Sequence, residues 1–329
     1  MVTINDIAKK AGVAKSTVSR YLNNGSVSQK TREKIEKIIK ETGYTPNTYA
    51  RSLKAEKTNM IGVIIPRLNS ASTNEVLEGI DATALAAGYQ LVITNSNQEN
   101  ARELENIRTL QRQKVAGIIM LTREITSEHV KLINELRVPF LSIGQKVDSV
   151  HSIIHQDYTA GQKIAEYALD LGHKDFLYIG VPEYDQAVGV ERKNGFLDTL
   201  KKRDDVQVKV IETEFSRNIA YEKALTLLPK MTASYVACAT DNIAVAFLKA
   251  ANELGYSVPA GFSLSGFGGY DTTSFVTPTI TTVSYPYQKL GKEAVGTIQQ
   301  LINDEAVPFL TELPNTLTIK QSTKQTKES

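Results

Sequence analysis

Lys15, Ser16, Thr17, Ser19 and Arg20 fall on the outward side of a short helix predicted over roughly 15–23. That places two cations and three hydroxyls where a partner can reach them. Short donors beside cations suit a polyanion, because cations neutralise phosphates while donors reach phosphate oxygens or base edges. The charge distribution points the same way. Residues 1–60 carry 12 Lys+Arg against 5 Asp+Glu, whereas the remainder of the 329-residue chain carries 26 against 31. A basic head on a mildly acidic body suggests a polyanion as the partner of the head. A solvated lysine-rich helix has the same charge, so the surrounding elements must decide.

Those elements form a compact pattern. Ile4, Ile7, Ala8 and Ala11 recur at helical spacing, Thr3 and Asp6 resemble a capping box, and Gly12 supplies the freedom for a sharp turn. In the next helix Val18 and Leu22 face inward beside Val13, and Asn23-Asn24-Gly25 closes it with turn residues. A third helix over about 29–42 starts after Ser28 and buries Ile35, Ile38 and Ile39. Three short helices can bury one small core and leave the second free to project into a major groove.

The stretch TINDIAKKAGVAKSTVSRYLNN, followed by VSQKTREKI and GYTPNTYARSL, closely resembles the head of the LacI/GalR family of bacterial transcription regulators. The resemblance implies that Lys15 and Ser16 reach base edges and that Arg20 reads a guanine with its two-pronged donor. It implies that Thr3, Thr17, Asn23, Thr31 and Tyr44 hold phosphates. Ala14 stands where a Ser is common, which removes a cap hydroxyl and one phosphate contact. Residues 45–59 are polar and lack a full helical face, which suits a flexible linker. The resemblance instead implies a hinge helix from Asn47 to Leu53 after Pro46. There Ala50 permits close pairing with a twin, and Leu53 wedges into the minor groove. Lys54 and Lys57 then serve phosphates.

From residue 60 onward, apolar runs alternate with amphipathic helices. Strands are expected at 60–66, 89–96, 115–122, 139–144, 151–157, 175–180, 208–212, 235–240 and 262–267. Helices are expected near 75–87, 99–113, 127–136, 159–171, 189–203, 218–229 and 242–254. About nine strands in this order predict an α/β body of two doubly wound parallel-sheet lobes with a ligand crevice between them. This matches the family's effector domain, of periplasmic-binding-protein type. Boundaries are expected at 1–45 for the helix-turn-helix head, 46–59 for the hinge, 60–320 for the effector-binding and dimerisation body, and 321–329 for a tail. The tail lies outside the resemblance and has no apolar heptads, so a homodimer is expected.

A sugar crevice needs planar donor–acceptor groups for hydroxyls and an aromatic face for the ring. By resemblance, Arg192 in VGVERKNGF is the bidentate anchor and Phe215 stacks on the sugar, although a core Phe fits Phe215 equally well. Asp241 matches a strand-end carboxylate, yet it could instead cap the following helix and leave Thr240 as the contact. Departures are informative. Ser72 and Thr73 replace an apolar patch, which favours a wider, more polar pocket. Gly268 stands where a carboxylate clamp is usual, with Asp271 or Tyr270 as replacement. Tyr285 stands where Gln is common. His155 is a weaker candidate, since a satisfied structural histidine explains it as well.

Other classes fare worse. The single Cys238 excludes an internal disulfide framework, and its apolar strand favours burial over nucleophilicity. No run of 18 apolar residues occurs, and the N-terminus lacks the apolar stretch of a signal peptide, so a cytoplasmic protein is expected. The four histidines show no metal-ligand pairing, no GxSxG elbow is present, and GFGGYD lacks dinucleotide-binding spacing. The expected function is a DNA-binding repressor of a carbohydrate-utilisation operon, bound to a near-palindromic operator and released by a small sugar. No cofactor, metal or membrane partner is expected. Within the family the chain resembles repressors of sucrose utilisation in Gram-positive bacteria. The alternatives are a global catabolite regulator with a phosphoprotein corepressor, and a sugar-binding module without DNA function.

Overall fold

The computed structural model describes residues 2–22, 25–44 and 58–326. The chain divides into two compact units, Met1–Thr58 and Asn59–Ser329.

In the first unit, α1 (Ile4–Ala11), α2 (Lys15–Leu22) and α3 (Gln29–Thr42) surround one small core. α1 begins where Thr3 and Asp6 satisfy each other. The Asp6 N–H donates to Thr3 Oγ1 at 3.4 Å, and the Thr3 N–H donates to Asp6 Oδ2 at 2.9 Å. It ends at Gly12, whose φ of +58° is cheap only for glycine. α3 opens on Ser28, whose Oγ accepts the Thr31 N–H at 3.4 Å. Ala14 offers only its carbonyl to the turn, taking the N–H groups of Thr17 and Val18. Ile7, Ala11, Val18 and Ile35 are fully buried, with Val13, Leu22, Ile39 and Tyr44 packed around them. At about 1.5–3 kcal/mol per fully buried large aliphatic, so few residues leave little margin in this unit.

The second unit has two six-stranded sheets. The first runs β11-β5-β4-β3-β1-β2 and is parallel throughout. Its strands are β1 (Met60–Ile65), β2 (Gln90–Asn95), β3 (Gly117–Leu121), β4 (Phe140–Ile143), β5 (Ser152–His155) and β11 (Leu310–Leu313). The second runs β12-β10-β9-β8-β6-β7 and is parallel except for the β10–β12 pair. Its strands are β6 (Asp175–Gly180), β7 (Gln207–Glu212), β8 (Tyr235–Cys238), β9 (Ser263–Gly268), β10 (Thr281–Ser284) and β12 (Thr316–Thr318). Helices α4 (Ala71–Ala86), α5 (Asn100–Arg112) and α6 (Ser127–Asn134) link the strands of the first lobe. α8 (Arg192–Leu200), α9 (Arg217–Leu227) and α10 (Asp241–Glu253) link those of the second, while α7 (Asp157–Asp170) and α11 (Tyr287–Ile302) carry the chain from one lobe to the other. The central strands are buried on both faces, as a helix-covered parallel sheet requires.

Three strands and one helix exceed the expected set: β10, β11, β12 and α11. β10 hides Thr281 and Thr282 instead of an apolar run, and β11 and β12 are short edge strands. The 321–329 segment, expected as a tail, packs on the second lobe as far as Thr326. Ser322 is fully buried, its N–H donates to Thr279 O, and the Thr326 N–H donates to Leu171 O. The helix expected at 189–203 splits into a π-helical turn, Gln186–Glu191, and α8. α7 and α8 approach backbone to backbone at Gly161 and Gly195, where an added Cβ would collide with the Arg192 and Tyr158 carbonyls. That contact sets the first residue of α8 against the first residue of α7.

Candidate functional site

On the head, Lys15, Ser16 and Arg20 are exposed on α2 and Thr17 is half-buried. Among the described residues, neither Lys15 nor Arg20 has a hydrogen-bond or ion-pair partner for its side chain. Thr3 is engaged in its cap, and Thr31 shares a 2.8 Å hydrogen bond with Ser28. Tyr44 packs on the head core. Asn23, Asn47, Ala50 and Leu53 lie outside the described residues.

In the second unit the carboxyl ends of both sheets meet at a cavity of about 180 Å³. The pattern of strand and helix dictates this position, since strand ends leave their loops to line the crevice. Of the expected effector residues, Ser72, Thr73, His155, Arg192, Phe215 and Thr240 line the cavity, whereas Asp241, Gly268, Asp271 and Tyr285 do not. Ser72 and Thr73 place two hydroxyl side chains on its wall.

Arg192 is buried at 6% exposure, and its fork is largely spent. Nε and Nη2 donate to Asp157 Oδ1 at 3.0 and 2.6 Å, and Nη1 donates to the Ala239 carbonyl at 2.6 Å. The rings of Phe267 and Tyr285 lie 5.0 and 5.1 Å from the guanidinium carbon. Tyr285 also donates its hydroxyl to Asp157 Oδ1 at 2.7 Å, so it supports the pair from behind the cavity wall. A guanidinium has five N–H donors, so three spent bonds leave two for a ligand. Asp157, at the start of α7, escaped the sequence reading because its partner lies 35 positions away.

His155 ends β5 between Tyr285 (4.7 Å between centroids) and Tyr287 (5.3 Å). Both ring nitrogens are buried without a hydrogen-bond partner. Burial lowers its pKa to about 4, against a smaller opposing pull from Asp157. At neutral pH the ring is therefore uncharged and offers one donor and one acceptor, the pair a ligand hydroxyl needs. Thr240, not Asp241, caps α10: its Oγ1 accepts the Ile243 N–H at 3.3 Å. Asp241 is wholly enclosed, accepting from the Tyr270 N–H at 2.8 Å and from the Thr282 hydroxyl at 2.6 Å. Burial raises its pKa to about 6 despite these bonds.

Gly268 has φ +139°, and a side chain there would strike the Tyr270 ring and the Asp241 carboxylate. Tyr270 lines the cavity, while Asp271 is exposed near Glu75, whose pKa is raised by burial first and then by Asp271. Sequence reading also missed Arg67, Gln98, Arg123, Gln145, Asp185 and Tyr287, which are among the other polar residues of the lining. Arg67 and Arg123 follow β1 and β3 of the first lobe. Each lies over a ring of the second lobe: Arg67 5.2 Å from Phe215, Arg123 4.5 Å from Tyr184.

A three-helix head with unpartnered donors, joined to two α/β lobes around a polar cleft, defines a DNA-binding regulator with a small-molecule sensing body. The chain belongs to the LacI family. Residues 3–47 match the family "Bacterial regulatory proteins, lacI family", and residues 165–323 match "Periplasmic binding protein-like domain". The chain is 38% identical to the sucrose operon repressor of Staphylococcus xylosus over 93% of its length and 96% of that protein's. It is 30% identical to catabolite control protein A of Priestia megaterium, over 98% and 99% of the two chains. Among solved structures, the lac repressor dimer bound to operator and the anti-inducer ONPF superposes with a TM-score of 0.91 at 25% identity, covering 98% and 99% of the two chains. These relatives are transcriptional regulators. A sugar-binding module without DNA function is set aside by the head match. No helix among the described residues is long and apolar enough to cross a membrane.

Proposed function

We propose that the protein is a cytoplasmic, homodimeric repressor of a carbohydrate-utilisation operon that releases its near-palindromic operator when a sugar, sucrose or a relative of it, binds between the lobes. It does this without enzymatic activity or cofactor. In this reading residues 1–45 form the DNA reader, 46–59 the hinge and 60–320 the sensing and dimerisation body. Lys15, Ser16 and Arg20 address base edges, and Thr3, Thr17, Asn23, Thr31 and Tyr44 fix register on phosphates. Asn47, Ala50 and Leu53 form a paired hinge that wedges the operator centre. Unstacking one step costs a few kcal/mol, so the wedge succeeds only with two copies and the contacts of bent DNA.

The observation that carries the reading is His155: a half-buried, uncharged imidazole whose two nitrogens are enclosed and unsatisfied, on the wall of a cleft shared by two lobes. Leaving such groups unpaired costs free energy unless a ligand completes them. Sugar hydroxyls meet His155, Thr240 and the two remaining Arg192 N–H groups, with Phe215 against the ring. A ligand filling the cleft changes the angle between the lobes and so the spacing of the paired hinges. Linkage requires the effect to be mutual: a coupling of about 1–3 kcal/mol makes sugar and operator weaken each other about 5–150-fold.

The test is calorimetric titration of mono- and disaccharides into the full-length protein and its His155→Ala and Arg192→Ala variants. At least one sugar should bind the parent chain and lose affinity in both variants. Unchanged affinity would remove the cleft from the account. The likeness to catabolite control protein A keeps a second reading, in which a phosphoprotein raises operator affinity without any sugar. An operator-binding assay with and without that partner separates the two.

A further inference from the structure

Resting on the repressor reading given above, we propose that Asn315 is a positioning residue that latches the two lobes of the body at the angle used for operator binding. The chain passes between the lobes three times. It runs from β5 to α7 at Gln156, from β10 to α11 at Tyr285 and Pro286, and from β11 to β12 at Pro314 and Asn315. A change of lobe angle has to be absorbed in such connecting residues, because the sheets on either side are packed and rigid. Three independent crossovers bend separately, whereas crossovers bonded to one another move together.

Asn315 supplies that bonding. It lies between two edge strands, yet it is only 4% exposed. Its Nδ2 donates to the Gln156 carbonyl at 2.7 Å and to Thr159 Oγ1 at 3.0 Å, which ties the third crossover to the first. One turn further along α7, Lys163 Nζ donates to the Asn315 carbonyl at 2.7 Å and to Oδ1 at 2.8 Å. Among the described residues Lys163 forms no ion pair, so its ammonium serves to orient this amide. The position therefore needs a group that donates at one end and accepts at the other, which a side-chain amide does. The second crossover joins at the same turn of α7, through the Tyr285 hydroxyl on Asp157.

None of Gln156, Thr159, Lys163 and Asn315 lines the cavity, but His155 and Asp157, on either side of Gln156, do. A molecule that shifts either wall residue thus pulls on the latch without touching it. The latch is made by the chain's own groups and needs no ligand. In the repressor reading the ligand-free chain is the operator binder, so the latched angle is assigned to operator binding. Loosening the latch spreads the lobes over other angles and lowers the competent fraction, and apparent operator affinity falls with that fraction.

The experiment places spin labels at Glu128→Cys on α6 and Lys202→Cys beyond α8, both exposed positions, while Cys238 is buried. Full-length labelled protein is mixed with excess unlabelled chain, and pulsed electron paramagnetic resonance reads the distance distribution within one chain. Asn315→Asp keeps the shape and the bond to Lys163 but loses both donors, so an oxygen faces the Gln156 carbonyl. It should broaden the distribution and weaken binding to a duplex selected from a random pool about threefold to tenfold, the net worth of one hydrogen bond. Lys163→Met, which frees the amide to turn, should move both readouts the same way by less. The parent's distribution in both variants, even beside a lower melting temperature, would reduce Asn315 to plain structural support and overturn the latch. A broadened distribution with unchanged or tighter operator binding overturns its assignment to the operator-binding angle. A parent chain that does not prefer the selected duplex overturns the repressor reading instead, and the distances still decide the latch.

Discussion

The DNA-reading head and the sensing cleft treat polar side chains in opposite ways. On α2, Lys15, Ser16 and Arg20 stand in water with no side-chain partner among the described residues, so their donors are open to an external polyanion. At the cleft wall and behind it, Arg192, Asp157 and Tyr285 are buried and satisfy one another, leaving a few groups open. Water makes the first arrangement cheap, and low dielectric makes the second obligatory, because an unpaired buried charge is the costliest thing a core can hold. A reader can tolerate change at its exposed donors without unfolding, whereas the wall of the sensor cannot lose one member of its network alone.

The largest expected effect breaks that network. Asp157→Ala strands the buried Arg192 guanidinium and should cost about 3–5 kcal/mol, read by urea denaturation of the whole chain. Little loss would mean that the pair contributes nothing to the fold. Ile35→Ala removes a fully buried side chain from the head core and should cost about 2–5 kcal/mol there. Hydrogen exchange should show α1 and α3 opening while the sheets stay protected. The third effect is a pH response. His155 is neutral when folded, with a pKa near 4 against an ordinary 6.5, so its contribution is intact above about pH 6.5 and drains away as pH falls toward 4. Asp241 acts in the opposite sense: its raised pKa, near 6 against 3.8, favours the folded state at low pH and loses that contribution as pH rises through 6. Comparison with His155→Gln isolates the histidine, and stability below pH 6.5 should fall less steeply in the variant. Arg20→Ala should leave stability nearly unchanged and cost about 1–3 kcal/mol of operator discrimination, measured by competition with base-substituted duplexes. Smallest, Ala14→Ser restores a cap hydroxyl and should add about 0.5–1 kcal/mol to the head.

What the sequence disclosed follows the same division. The Thr3–Asp6 box, the Gly12 turn and the Ser28 cap are made by residues within three or four positions of each other, and local chemistry makes them legible. The Arg192–Asp157–Tyr285 cluster joins residues up to 128 positions apart, so a single chain read along its length shows Arg192 and Tyr285 without the carboxylate between them. β10 was hidden because its buried Thr282 hydroxyl donates to Asp241, a polar reason for burial that hydropathy does not register. β11 and β12 are edge strands with half-exposed faces, whose assignment depends on which sheet is there to receive them. α11 differs: its buried residues Tyr287, Leu290, Gly291, Ala294, Val295 and Ile298 do recur at helical spacing, and the pattern was open to reading. Gly268 stood out as a departure, but only the fold shows that the Tyr270 ring and the Asp241 carboxylate occupy the space a side chain there would need.

The coupling between reader and sensor is tested most directly by fluorescence anisotropy. A labelled duplex selected by the protein from a random pool is titrated with full-length protein, beside a scrambled duplex of the same length, at fixed moderate salt. The selected duplex should bind about 10³-fold or more tightly than the scrambled one, and a saturating sugar should weaken that binding about 5–150-fold. Equal affinity for the two duplexes, or a ligand that fills the cleft and leaves operator affinity untouched, would contradict it.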